Sequence, residues 1–288
     1  MGSILVITNE KGGVGKTTTA GNLAAAYAMM GMRVLAVDMD PQRNLTDLMG
    51  VSQDAVRGRS IAEAIAEKKG IDSFVVSTRT EGVDLIPATP RLREIERQFG
   101  ASFEQDKLLN IPFDTPKLDE YEIVIIDTHG AQNCLLTSSL AIAHYYLIPL
   151  FPEPDAARGV FDVIEYAERV RSATNRTLTL LGLMITGHDR RVAVHPRITQ
   201  SLRDYGQKWN IRVFSTVIPF SSRVKTAAEQ QLLLASLRED APVTMAYQTL
   251  AGEILPLLKG RRVGRVSPPK LDEIANSIET FETMDEVI

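Results

Sequence analysis

Residues 11–18 read KGGVGKTT, a stretch whose residue types can bind a polyphosphate. Its three glycines let the backbone turn its N–H groups toward an anion without Cβ clashes. Lys16 supplies a positive charge for the β- and γ-phosphates, and the hydroxyl of Thr17 can reach Mg²⁺. The helix predicted to begin there directs its positive end at the anion. The predicted nucleotide-binding residues are Gly12, Gly13, Val14, Gly15, Lys16, Thr17 and Thr18.

Carboxylates follow two other apolar runs. The run RVLAVD ends at Asp38, with Asp40 two residues later, and the run IVIID ends at Asp127. Because ligands of open α/β sheets bind at the carboxyl ends of strands, we expect these side chains to lie beside the glycine-rich loop. Asp127 is predicted to meet Mg²⁺, directly or through water. Asp38 either supports the loop and metal region or caps its strand end.

The elements that must position these residues are short apolar runs alternating with stretches of helical periodicity. Near-continuous apolarity is typical of strands covered on both faces, so the pattern predicts an α/β fold with a doubly wound, mostly parallel sheet flanked by helices. The predicted strands are Ile4–Thr8, Arg33–Asp38, Ile123–Asp127, Tyr145–Leu150, Leu178–Ile185 and Val213–Ile218, with Phe74–Val76 and Val83–Ile86 as an edge hairpin or added strand. The predicted helices are Lys16–Met30, Arg91–Phe103, Gly159–Arg171, Pro196–Lys208, Ser222–Ser236 and Val243–Leu258.

Composition excludes several classes of protein. A chain of 288 residues that is 44% hydrophobic can bury a core without a disulfide or a structural metal. Its single cysteine, Cys134, excludes an internal disulfide, a CxxC zinc ribbon and a self-contained iron–sulfur cluster. The net charge of −4 argues against a histone-like coat, although a local basic patch remains open. We find no secretory signal or bilayer-spanning run, and expect a cytosolic protein. We expect one domain over residues 1–260, then a basic connector and an acidic tail over residues 261–288.

The glycine-rich loop resembles the deviant Walker A motif of the ParA/MinD/Soj family of P-loop NTPases. Lys11 stands five residues before Lys16, where most phosphate loops begin with a glycine. In that family the early lysine reaches across a dimer interface to the phosphates of the other subunit. The resemblance therefore implies ATP and Mg²⁺ as cofactors and a homodimer that forms on ATP binding.

Residues 38–42 (DMDPQ) match the DxDPQ motif of the same family. By that resemblance Asp40 orients the attacking water and contributes to the magnesium shell, and the stretch after it senses the γ-phosphate, although Arg43 replaces a common glycine. After Asp127 the family continues with T-P-P, where this sequence has Thr128-His129-Gly130. His129 is either a contact to phosphate or partner, or a tolerated substitution. The implied catalytic residues are Lys11, Lys16 and Asp40, and the implied metal ligands are Thr17, Asp40 and Asp127.

The resemblance spans about residues 3–258, since residues 146–159, 182–191 and 214–228 also fit the family pattern. It implies that Pro219 and Phe220 line the adenine pocket, although Phe220 and Ser221 replace a usual Arg-Asn pair. Family members bind double-stranded DNA without sequence preference through surface cations. The implied DNA-binding residues are Arg190, Arg191, Arg223 and Lys225, and for each of them a solvated basic face is the alternative.

The implied function is that of a ParA-type ATPase that converts ATP to ADP and phosphate, slowly until a ParB-like or cargo adaptor protein stimulates it. It would segregate or position a plasmid, chromosome origin or protein cargo, in the cytoplasm and on the nucleoid. The alternative is a MinD-like membrane-associated regulator of cell division or flagellar placement. Such members carry a basic C-terminal helix, whereas this tail is acidic, so no membrane is expected. The missing cysteine pair opposes a metal-cluster enzyme of the superfamily, and the early start of the fold opposes an N-terminal helix-turn-helix repressor.

Overall fold

A computed structural model describes residues 2–234 and 241–259. In the described residues, eight strands form one sheet in the order β3-β4-β2-β5-β1-β6-β7-β8. The strands are β1 Ser3–Ile7, β2 Val34–Met39, β3 Val76–Ser77, β4 Val83–Ile86, β5 Ile123–Thr128, β6 Tyr145–Leu150, β7 Thr179–His188 and β8 Val213–Pro219. Only the short edge pair β3–β4 is antiparallel among these strands. The predicted fold class, a mostly parallel α/β sheet flanked by helices, is confirmed.

The helices lie on both faces of the sheet. They are α1 Lys16–Met29, α2 Asn44–Leu48, α3 Gln53–Val56, α4 Ile61–Glu67, α5 Leu92–Phe99, α6 Asn110–Phe113, α7 Cys134–Ile142, α8 Ala156–Ala173, α9 Val194–Lys208, α10 Ser222–Glu229 and α11 Ala241–Lys259. Short 3₁₀ turns occupy Ile71–Ser73 and Pro116–Glu120.

Alternation along each strand divides the core into two layers. In β1, Ile4 and Val6 pack with apolar residues of α4, α5, α7, α8 and α9, whereas Leu5 and Ile7 pack with α1, α2 and α11. Successive strand side chains point to opposite faces, so a strand covered on both sides is apolar at every position. This explains why the strands were readable as unbroken apolar runs.

Two predicted helices are shorter than expected, and others were missed. The helix predicted over Arg91–Phe103 spans Leu92–Phe99, and the one predicted over Ser222–Ser236 ends at Glu229, with residues 235 and 236 outside the described part. Helix α7 was not predicted because it is buried along most of its length, and therefore shows no amphipathic period. No helix in the described ranges is long and apolar enough to cross a membrane.

Sheet register brings the predicted carboxylates together. Asp127 at the end of β5 lies in register with Asp38 of β2 on one side and with Ile7 of β1 on the other. The loop that follows β1 therefore starts beside both strand ends. The glycine-rich loop and the acidic strand ends share one edge of the sheet.

Candidate functional site

The loop from Thr8 to Gly15 joins β1 to α1. Gly13 and Gly15 have φ angles of 76° and 85°, a left-handed conformation that glycine adopts without strain. A Cβ added at Gly12 or Gly13 would meet no atom within 4 Å, so packing does not require glycine there. Gly15 caps α1 without a side chain, which leaves the first backbone N–H groups of the helix directed at the loop. The loop is shaped to surround an anion.

An open cleft of about 810 Å³ lies over this loop, and we call it the phosphate-loop cleft. Its lining includes Gly12, Gly13, Gly15, Lys16, Thr17, Thr18, Asp40, Gln42, Asn44, His129 and Gly130. The structure therefore brings most of the predicted nucleotide residues to one surface. Val14 differs, because its side chain is buried and only 1% exposed. Val14 takes part through its backbone, whose carbonyl accepts a hydrogen bond of 2.8 Å from Thr186 Oγ1.

Lys16 lies on the floor of the cleft. Its Nζ donates a hydrogen bond of 2.9 Å to the carbonyl of Lys11. Burial lowers the pKa of the ammonium, while the charges of Asp127 and Asp40 act in the opposite direction. A partly buried cation between two carboxylates gains from an anionic ligand that adds negative charge on its open side.

Asp127 is the electrostatic centre of the site. It is fully buried, and neither carboxylate oxygen has a hydrogen-bond partner among the described residues. Burial first, and the charge of Asp38 second, raise its pKa well above the usual range, while the Thr17 hydroxyl and the Lys16 ammonium act in the opposite direction. A buried carboxylate without donors needs a cation to remain ionised.

Magnesium fits this arrangement. The described residues contain no cluster of three or more His, Cys, Asp or Glu that could hold a metal alone. Mg²⁺ at a nucleotide site keeps several waters and takes one or two protein ligands together with phosphate oxygens. The orphaned oxygens of Asp127, next to Thr17 and Asp40, supply oxygen ligands of that kind. These residues would hold the ion.

Asp38 and Asp40 have different surroundings. Asp38 accepts hydrogen bonds from the backbone N–H and the hydroxyl of Thr46, at 2.8 and 2.7 Å, and from the backbone N–H of Asp40 at 3.1 Å. Burial raises the pKa of Asp38 to about 6, although these hydrogen bonds act to lower it. Asp38 thus organises the loop after β2. Asp40 lines the cleft, and its Oδ1 accepts a bond of 2.8 Å from the Gln42 N–H.

The segment after Asp40 is held in a strained conformation. Arg43, which replaces a glycine of the family pattern, has a φ of 56°, in the left-handed region that costs a non-glycine residue energy. Its guanidinium pairs with Asp47 at 2.8 Å, an i,i+4 ion pair that offsets part of this cost. The backbone conformation is therefore the one that a glycine at this position adopts without strain.

Lys11 points away from the cleft toward its own chain. Its Nζ pairs with Asp155 at 2.7 Å and with Glu153 in a still shorter contact. Burial lowers the pKa of Lys11, but the hydrogen bonds to Asp155 and Glu153 outweigh it, and the net shift is upward. Sequence reasoning missed these two acids, although they follow the end of β6 and the strand-end rule that found Asp40 would have found them.

The loop after β5 lies against the phosphate loop. A Cβ added at Gly130 would come within 2.6 Å of the Glu10 carbonyl oxygen and 3.3 Å of Lys16 Nζ. Gln132 donates a short hydrogen bond to the Glu10 carboxylate and accepts one of 3.1 Å from Arg169 of α8. No sequence pattern indicated this contact. Close packing thus explains why a glycine, Gly130, stands where the family has the last proline of T-P-P. His129, the residue before it, is exposed.

The residues predicted for adenine and for DNA lie elsewhere. Pro219, Phe220, Arg190 and Arg191 line a second cleft of about 820 Å³ between α9, the end of β8 and α11, which we call the β8 cleft. The structure therefore brings both adenine candidates together with two of the four DNA candidates, in a cleft that shares no lining residue with the phosphate-loop cleft. Arg223 lies exposed at the start of α10, and the side chain of Lys225 is outside the described part.

Comparisons with known proteins find a matching family and similar proteins for this chain. The profile of a protein family described as an AAA domain matches residues 2–180. The chain is 34% identical over 252 residues to the chromosome-partitioning ATPase Soj of Thermus thermophilus, covering 87% of this chain and 94% of that protein. It is 32% identical over 263 residues to the chromosome partitioning protein ParA of Caulobacter vibrioides, covering 90% and 96%.

A solved structure is similar over nearly the whole chain. It is the cobyrinic acid a,c-diamide synthase of Mycobacterium smegmatis with a bound ATP analogue and magnesium. The identity is 28%, the TM-score is 0.77, and the match covers 93% of this chain and 100% of that chain. The fold is therefore one that holds an adenine nucleotide and magnesium in a similar protein.

Proposed function

The chain belongs to the ParA/Soj family of partition ATPases, and from this premise we propose that it hydrolyses ATP in order to segregate or position a plasmid, chromosome origin or protein cargo. One observation carries the proposal: Lys16 of the glycine-rich loop lines the open cleft close enough to feel the charge of Asp127, whose carboxylate oxygens have no hydrogen-bond partner among the described residues. That combination serves a magnesium-bound polyphosphate better than any neutral ligand.

The proposed reaction is attack of water on the γ-phosphate of ATP, which gives ADP and phosphate. Lys16 and the backbone N–H groups of the loop would bind the phosphates and neutralise charge that builds up as the bond breaks. Asp40, at the wall of the same cleft, would orient the attacking water. Magnesium, held by Thr17, Asp40 and Asp127, supplies further charge neutralisation when bound.

Lys11 would act between subunits. In the free chain its ammonium is committed to Glu153 and Asp155. Transfer of this charge to the phosphates of a second copy would make ATP the ligand that joins the dimer, since the site is incomplete without the partner's lysine. A slow basal rate would follow, with stimulation by a ParB-like or cargo adaptor protein.

The dimer would bind double-stranded DNA through phosphate contacts. Arg190 and Arg191 lie exposed on the β8 cleft, and Arg223 is exposed near the start of α10. Two copies double the number of such contacts, which steepens the dependence of affinity on salt. Binding of this kind would place the protein on the nucleoid in the cytoplasm.

Sedimentation velocity with ATP and Mg²⁺ tests the proposal. We expect the wild-type chain to shift from monomer to dimer with ATP but not ADP, and Lys11→Ala to remain monomeric. Lys117→Ala is the control, because that lysine pairs with Glu120 elsewhere on the surface at 2.8 Å. Equal dimer fractions for wild type and Lys11→Ala would exclude the shared site. Binding of the wild-type ATP form to anionic vesicles and not to DNA would favour the MinD-like alternative.

A further inference from the structure

The β8 cleft has an apolar wall whose large side chains are exposed. Phe220 and Met245 are 56% and 61% exposed, although both are large hydrophobic side chains. Pro219 and Pro242 extend the same wall. Exposed apolar side chains that lie together on a cleft are typical of a surface that contacts another segment or molecule.

The facing wall is cationic. Arg190, Arg191 and Arg203 line it, while Asp189, which pairs with Arg191 at 2.7 Å, removes part of the charge. Burial and the nearby charges of His195 and Arg190 lower the pKa of His188, so that ring adds no full charge at neutral pH. Positive charge remains in excess. The cleft therefore suits a ligand that is both apolar and acidic.

A buried hydroxyl on the cleft also lacks a partner. Thr199 of α9 is 5% exposed, lines the cleft, and its Oγ1 makes no hydrogen bond among the described residues. A buried hydroxyl without a partner is costly, so a ligand that supplies a polar atom there gains a favourable contact. This observation is independent of the charges.

Beyond Lys259, outside the residues that the structure describes, the predicted basic connector and acidic tail contain a segment with matching chemistry. From 271 to 281 its large apolar residues fall at spacings of three and four, which is the period of one helical face. They are Leu271, Ile274, Ile278 and Phe281. Its acidic residues are Asp272, Glu273, Glu279, Glu282, Asp285 and Glu286. The segment thus combines an apolar period over residues 271–281 with six acidic residues.

This segment can reach the cleft from its own subunit. Helix α11 contributes Met245 to the cleft and ends at Lys259, about 21 Å further along at ~1.5 Å per residue. Residues 260–269 form a connector that spans at most about 35 Å when extended. The connector is long enough to return the segment along α11.

We propose that residues 271–288 dock in the β8 cleft of the same subunit, with the apolar face on Phe220 and Met245 and the acidic residues on Arg190, Arg191 and Arg203. Docking covers two of the arginines assigned to DNA under the proposed function, and this consequence, unlike the docking itself, depends on that function. The segment is then an internal competitor of DNA phosphates.

A cysteine pair in the full-length chain tests the docking directly. Met245→Cys with Phe281→Cys should form an intramolecular disulfide quickly under a mild oxidant, because the Cα atoms must come within about 7 Å. The control is Ile111→Cys with Phe281→Cys. Ile111 is 49% exposed on α6, which packs against α4 toward the opposite edge of the sheet. We expect at least tenfold faster closure for the Met245 pair, and slower closure at high salt.

Equal closure rates for the two pairs would overturn the proposal, as would disulfides that form only between two chains. A second variant tests the contribution of charge: it replaces the Asp and Glu residues at the six acidic positions by Asn and Gln. In this variant the disulfide between positions 245 and 281 should form more slowly. Without the two cysteines, the same variant should bind duplex DNA several-fold more tightly than wild type. If the Met245 pair closes quickly but neither protein binds DNA, the docking stands and the proposed DNA function fails.

Discussion

The phosphate-loop cleft and the β8 cleft have nearly equal volumes, about 810 and 820 Å³, but the chain assembles them in opposite ways. The first is centred on one loop of consecutive residues, and the register of β1, β2 and β5 brings it the remaining carboxylates. The second takes its residues from α9, α11 and the ends of β7 and β8, so four separate elements between positions 188 and 249 must pack together before it forms. The chemistry of the first is therefore local, and that of the second depends on tertiary packing.

The largest expected effect is a loss of ATP affinity, and it should arise from the phosphate-loop cleft alone. Lys16→Ala removes the cation that faces the phosphates, and we expect a loss of ATP affinity of at least 100-fold, or about 2.7 kcal/mol. Titration with a fluorescent ATP analogue measures it. Arg203→Ala in the β8 cleft should leave that affinity within twofold. A comparable loss in both variants would show that the nucleotide extends into the β8 cleft.

Glycine substitutions test how the phosphate-loop cleft is constructed. Gly130→Ala should destabilise the fold by about 1–3 kcal/mol, since its Cβ would come within 2.6 Å of the Glu10 carbonyl oxygen. Gly12→Ala is the matched variant, because a Cβ there meets nothing within 4 Å. It should keep the stability but weaken ATP binding. Denaturant unfolding of both proteins decides this, and equal stability of the two variants would contradict the close approach at Gly130.

The edge of the sheet beside the β8 cleft depends on Glu253 of α11. Its carboxylate accepts bonds from the backbone N–H groups of Ser215 and Thr216, at 3.1 and 3.0 Å, and from both hydroxyls. These contacts lie where β8 shifts its register against β7. Arg203 of α9 donates to the carbonyl of Ser215 at 3.3 Å. Side chains of two helices thus satisfy the exposed strand edge, as expected for a protected edge strand.

Glu253→Gln should lower the free energy of unfolding by about 1–2 kcal/mol at pH 7. Burial raises the pKa of Glu253, but the hydrogen bonds from Thr216 and Ser215 outweigh it, and the folded pKa lies below the ordinary 4.5. A lowered carboxyl pKa contributes stability above the unfolded value and loses it as pH falls through the folded value. The difference between variant and wild type should therefore shrink as pH falls below the ordinary carboxyl value and vanish below the lowered folded pKa. If the difference in unfolding free energy did not change with pH, the variant would be losing stability through altered packing and not through the lost charge.

The same contrast explains what the sequence could predict. The strands, the loop around Lys16 and the carboxylate of Asp127 follow from apolar runs and strand-end rules, which are local. Helix α7 was not predicted because its nearly uniform burial removes the amphipathic period. The packing role of Gly130 was not predicted because it depends on a contact with Glu10, which is distant in sequence. The β8 cleft was not predicted because Met245 and Thr199 come to line one surface only when α11 and α9 pack at the sheet edge.

The smallest effect concerns the ion pair that holds Lys11. The ammonium and the Asp155 carboxylate are 35% and 63% exposed, and an exposed pair of this kind contributes about 0.2–1 kcal/mol. Asp155→Asn should therefore increase the ATP-dependent dimer constant by no more than about fivefold, because less free energy is spent in moving Lys11 to the partner's phosphates. Salt screens exposed charges, so the gain should shrink as ionic strength rises. Glu67→Gln is the matched control, since its pair with Lys69 has the same 2.7 Å separation and similar exposure on a helix far from the nucleotide loop. Sedimentation equilibrium with ATP at two salt concentrations measures both. A dimer constant that falls in Asp155→Asn would mean that the aspartate serves the dimer itself, and Lys11 would then reach the phosphates from this same ion pair without leaving it.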